Sequence, residues 1–165
     1  MLSMGAIMAA RPVAGQASAV VGCPIRAAFD YIGYGLFEHY RFWCAQVVEL
    51  EVITDGPVGP GALARQITLD RGIATESTFK VTEFSPPTGI ELAGVSDPFR
   101  AVYALEESGA TLSRLIFTFE LRELELFMRP FEKLVRTALQ EGAEQTVENL
   151  KQLLDEQGAL LVAKS

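Results

Sequence analysis

A chain of 165 residues, 49% of them apolar, is long enough for one domain with a real core and short for two. Its formal charge of −7, with no Lys/Arg cluster to offset it, excludes nucleic acid and anionic lipid as natural partners, because both are held by clustered cations. A single His and two Cys leave no protein-ligated metal centre and no disulfide framework.

Residues 1–16 are mildly apolar at Leu2, Ile7 and Met8 but lack a basic start and a continuous apolar run, and Arg11-Pro12 interrupts them. That is a poor signal peptide and too short for a membrane span. It is expected to be a flexible leader on a cytoplasmic protein without stable membrane insertion, in which Cys23 and Cys44 stay reduced. Residues 17–22 form a short β-like run ended by Cys23-Pro24. Ile25, Ala28, Phe29 and Ile32 then follow at i, i+3, i+4 and i+7, the spacing of a short helix. Gly33 and Gly35 break it, and a second short helix over 36–42 leads to Trp43.

From there the period becomes two. Val48, Leu50 and Val52 alternate with Glu49 and Glu51 in a half-buried strand. The Gly- and Pro-rich turn 55–61 reads as a mobile hairpin, with no Lys-Ser/Thr to make it a phosphate loop. A strand over 62–70 carries Leu63, Ile67 and Leu69 on one face and closes at Arg71-Gly72. The next, 73–84, carries Phe79 and Val81 and stops at Ser85-Pro86-Pro87. A weaker strand covers 90–95, and 99–105 pairs with 112–121 across the turn 106–110. In the last strand Leu115, Phe117, Phe119 and Leu121 share a face.

A helical apolar stripe then runs over 124–157, with Phe127, Phe131, Leu134 and Val135 early and Leu150, Leu153 and Leu154 late. Between these blocks the same face carries only Ala138, Gly142 and Thr146. A mid-helix Gly costs roughly 1 kcal/mol relative to Ala, so the hollow calls for a reason: space for a ligand, or close packing and a bend. Antiparallel strands in hairpin succession, covered by one long helix, make a two-layer α+β domain.

The run from Cys23-Pro24 to Phe29 and Trp43, the 47–53 strand with its Gly-Pro loop, the segment Val81-Thr82-Glu83-Phe84-Ser85-Pro86-Pro87, and the terminal helix with Asn149-Leu150-Lys151 together resemble the START-related superfamily. That superfamily includes polyketide cyclases/dehydrases and pollen-allergen-type ligand binders. The chain departs from it in lacking a Pro before the Trp and in the Gly33-Tyr34-Gly35 break. The resemblance implies the helix-grip fold: a curved antiparallel sheet of about six to seven strands wrapped around the C-terminal helix, with two short helices after strand 1. It places the domain at 17–158 and a tail at 159–165. It also implies an internal cavity for a small hydrophobic ligand, such as a lipid, a polyketide or an aromatic molecule.

Candidate cavity residues are Trp43, Phe79, Tyr103, Phe117, Phe119, Ala138, Gly142 and Thr146; for each aromatic alone, ordinary core packing is the competing reading. If the protein is an enzyme of the cyclase/dehydrase type, the candidates for acid–base work are His39, Tyr103 and Arg65. His39 has its unperturbed pKa near neutrality, and a buried Tyr103 phenol needs a partner. Arg65 shares a face with Leu63 and Ile67; it either points inward to pair a carboxylate or enolate, or that face is the outer one, or the side chain snorkels at the rim. The scarcity of inward polar residues favours a binder over an enzyme. An interaction module of the same fold is the third reading; a homodimer is left open, and no cofactor is implied.

Overall fold

In the computed structural model, which describes residues 12–164, the alternating segments become seven strands. These are β1 (Val13–Val21), β2 (Val47–Val52), β3 (Leu63–Asp70), β4 (Ile73–Ser85), β5 (Gly89–Gly94), β6 (Phe99–Glu107) and β7 (Ser113–Leu121). They form one sheet in the order β1-β7-β6-β5-β4-β3-β2, with every neighbouring pair antiparallel. Helices α1 (Ile25–Phe29) and α2 (Leu36–Trp43) follow β1, and α3 (Glu132–Lys164) ends the chain. This is the helix-grip arrangement.

Three boundaries differ from the sequence reading, each for a local reason. β1 begins at Val13, so residues 13–16 belong to the sheet rather than to a leader; residues 1–11 lie outside the described residues. Their strand character comes from pairing with β7, and Gly15 is small because a Cβ there would collide with the backbone of Leu139 and Gln140 in α3. α3 itself begins at Glu132, after a 3-10 segment over Leu126–Phe131 that contains Pro130. Proline lacks the N–H that a helix interior needs and clashes with the carbonyl four residues before it. At the other end α3 continues through Lys164, so 159–164 are helical rather than a tail, and Ser165 lies outside the described residues. The Gly33–Gly35 break becomes a π-helical turn, Asp30–Tyr34, joining α1 to α2.

α3 also seals one edge of the sheet. The Gln140 side chain accepts from the Gln16 N–H at 3.0 Å and donates to the Gln16 carbonyl at 2.8 Å. Lys151 Nζ donates to the Val20 carbonyl, and Asp155 accepts from the Gly22 N–H. Backbone groups of an edge strand that would invite another strand are thus occupied by helix side chains. At Gly158, where a Cβ would overlap the Gly22 carbonyl, helix and strand come into backbone contact.

Gly15 marks the side of the sheet that faces α3, and the register carries that side across every strand, because successive residues alternate. Its inner residues are Phe117 and Phe119 on β7, Phe99 and Tyr103 on β6, Ile90 and Leu92 on β5, Phe79 and Val81 on β4, and Ala64, Gln66 and Thr68 on β3.

Candidate functional site

Following α3 from its C-terminal half to its N-terminal half, the grip changes from closed to open. In the closed half Ala143, Val147, Leu150 and Leu154 are buried against the sheet and the short helices. Trp43, Tyr103, Phe117 and Phe79 are packed there with no more than 4% of any one exposed, so these four form a solid core. The Tyr103 ring lies 4.8 Å from Phe117 and 5.9 Å from Trp43, whose indole N–H donates to the Tyr103 hydroxyl at 3.1 Å. The Tyr103 and Tyr40 hydroxyls both reach the Cys44 thiol. Burial pushes both phenols well above their usual pKa and the thiol up to about 12, against the hydrogen bonds that favour the thiolate. Cys23 and Cys44 are both free.

The open half begins at Gly142. A Cβ built there meets no atom within 4 Å, and no residue of α3 before Ala143 is fully buried. Asn149 lies two turns further along the same side of the helix and donates to the Trp43 carbonyl at 3.1 Å, so this side looks into the grip. Ala138 and Gly142 on it are exposed and Thr146 is half-buried. On the inner face of the sheet the Phe99 and Phe119 rings stack at 5.8 Å and are only half-buried. Further exposed apolar side chains are Phe127 and Phe131 in the 3-10 segment, Leu134 in the first turn of α3 and Ile73 at the start of β4.

The groups considered for acid–base chemistry do not converge. His39 stacks on Tyr31 at 3.9 Å outside the grip, in a surface groove of about 260 Å³ that it shares with Ala27, Asp30, Gln157 and Leu161. Its Nδ1 lies 2.9 Å from the Tyr31 carbonyl, which can only accept, so that nitrogen carries the hydrogen. Arg65 points to the outer face of the sheet, between Glu49 at 3.5 Å and Glu76 at 3.4 Å. Tyr103 alone is interior. The 55–61 loop is pinned rather than loose: Val58 is buried in the core, and the Gly61 N–H donates to the Val81 carbonyl. A second groove, of about 680 Å³, lies at the closed end against Pro24, Pro87 and Leu105, away from every expected cavity residue.

Gln66 was not among the expected site residues. It sits on the inner face of β3 with 5% of its surface exposed, and its Nε2 donates to Ser77 Oγ at 3.1 Å. Its Oε1 is sealed from solvent and has no hydrogen-bond partner. An unpaired buried acceptor costs roughly 1–3 kcal/mol.

Residues 13–155 match the family model described as "Polyketide cyclase / dehydrase and lipid transport". No curated protein matches the sequence significantly. Among solved structures, a protein from Thermus thermophilus is 17% identical over 92% of this chain and 99% of its own, with a TM-score of 0.68. The Zhui aromatase/cyclase of a Streptomyces species is 9% identical over 88% and 94%, with a TM-score of 0.71. Norcoclaurine synthase from Thalictrum flavum, solved with dopamine and hydroxybenzaldehyde, is 13% identical over 90% and 89%, with a TM-score of 0.69. At these identities the likeness is one of fold.

Proposed function

The chain belongs to the polyketide cyclase / dehydrase and lipid transport family, and we propose that it binds a small, largely apolar molecule between the N-terminal half of α3 and the inner face of the sheet. The observations that carry this reading are the exposed Gly142, where a Cβ meets no atom within 4 Å, and the half-buried Phe99 and Phe119 on the sheet face turned to α3. An apolar guest would bury Phe99 and Phe119, each contributing about 25 cal/mol per Å² removed from water. Thr146 would border the guest, while Trp43, Phe79, Tyr103 and Phe117 form the rigid wall behind it.

Binding without turnover fits the placement of polar groups better than catalysis does. A cyclase or dehydrase needs an acid or base within hydrogen-bond reach of the guest. His39 and Arg65 lie on outer surfaces, and the Tyr103 hydroxyl is engaged by Trp43 and Cys44. Among the described residues no helix is long and apolar enough to cross a membrane.

Gly142→Leu tests the reading. A Cβ there has no atom within 4 Å, so the fold should persist while the rest of the side chain occupies the site. Uptake of an uncharged solvatochromic dye such as Nile red should fall at least tenfold; undiminished uptake would remove the cavity from the account.

A further inference from the structure

We infer that Gln66 and Ser77 form a hydrogen-bonding subsite at the inner end of the cleft, and that the guest it selects is an apolar molecule bearing a hydroxyl group. This rests on the cleft being the binding site.

The inner face of the β3–β4 hairpin is polar in a graded way. Thr75 is exposed near the rim, Thr68 and Ser77 are half-buried, and Gln66 is buried, with the packed Ala64 and Phe79 beyond it. Gln66 thus stands where a polar track from the open end meets the closed core. Its Nε2 is engaged by Ser77 and its Oε1 by nothing. A Leu or Met would fill the same space without stranding an acceptor, so the amide is unfavourable there unless something donates to it. Its cross-strand neighbour on β2, Leu50, is only half-buried.

The chemistry of the donor follows from the surroundings. Inner positions of this hairpin from Ala64 to Thr68 and from Thr75 to Phe79 carry no charge, since Arg65 and Glu76 point to the other face. A carboxylate, phosphate or ammonium would therefore enter unpaired, at heavy desolvation cost. A neutral hydroxyl suits either orientation of the amide. With Nε2 on Ser77 it donates to Oε1; with the amide turned over, Ser77 donates to Oε1 and the hydroxyl accepts from Nε2. Phenols and alcohols have the required group on an apolar body.

A matched pair of probes, 2-naphthol and 2-methylnaphthalene, tests this by equilibrium dialysis against the full chain. The wild type should bind the naphthol roughly five- to tenfold more tightly, the worth of one hydrogen bond that satisfies a buried acceptor. Gln66→Leu should bind both probes equally and melt at a higher temperature, having lost its stranded oxygen. Gln66→Met, of similar length, serves if the branched side chain does not fold. A naphthol preference that survives in the variant overturns the subsite and leaves the cleft standing. Failure of the wild type to bind either probe overturns both.

Discussion

Both stretches of α3 press on the sheet edge through backbone, at Leu139–Gln140 against Gly15 and at Gly158 against Gly22, yet they bury their own side chains to different extents. From Ala143 onward Ala143, Val147, Leu150, Leu154 and Gly158 are buried, and the helix approaches Gly22, just past β1, so closely that Gly158 has no room for a Cβ. From Glu132 to Gly142 no residue is fully buried, and a Cβ at Gly142 would meet only open space. Side-chain burial is therefore concentrated from Ala143 onward, whereas the stretch before it holds β1 through backbone contact and Gln140. A glycine can mark close contact, as at Gly158, or open space, as at Gly142, and only its neighbours reveal which.

The largest expected effect lies in the closed half. Leu150→Ala removes a fully buried side chain and should cost about 2–5 kcal/mol in urea unfolding. Leu134→Ala, on the same helix but 69% exposed, should change stability by no more than about 0.5 kcal/mol. Equal losses would erase the division. Next comes Gly158→Ala, which forces helix and strand apart and should cost about 1–3 kcal/mol. Gly142→Leu should instead stabilise by roughly 0.5–1 kcal/mol through helix propensity. A shared sign for these two glycine substitutions would contradict the geometry.

A smaller effect concerns pH. Burial works to raise the Asp155 carboxyl, but the Gly22 N–H and Lys151 outweigh it and hold its pKa below the usual 3.8. A depressed folded pKa means the stabilisation is complete above that ordinary value and is lost as the pH falls through the folded one. Acid titrations of unfolding free energy should show a steeper decline below about pH 4 in the wild type than in Asp155→Asn. Parallel curves would mean that the carboxylate contributes nothing to the clamp on β1.

Much of this architecture was legible in the residues. Period-two runs divided by turn residues marked the hairpins, and the long apolar stripe marked the helix. The direction of Arg65 was left open by the residues around it. Leu63, Ile67 and Leu69 looked like the core face of β3, whereas the structure turns Ala64, Gln66 and Thr68 inward. The information was nonetheless present. Arg71-Gly72 is a two-residue turn with positive φ at both positions, 52° and 80°, which sets Asp70 opposite Ile73 and therefore Ala64 opposite the apolar Phe79. Apolar count misleads on β3, whose inner face carries the small or polar Ala64, Gln66 and Thr68. Residues 13–16 were missed for a related reason: Gly15 reports a close helix contact, not a hydrophobic pattern. The unpaired oxygen of Gln66 depends on three-dimensional neighbours and leaves no mark in one dimension.

The division of the grip is tested most directly by following backbone amide resonances of the full chain while 2-naphthol is titrated in. The account predicts shifts concentrated at Gln66, Ser77, Phe99, Phe119, Gly142 and Thr146, with the groove of Ala27, Asp30, His39 and Gln157 unchanged. Shifts confined to that outer groove, or no saturable shifts anywhere, would contradict it.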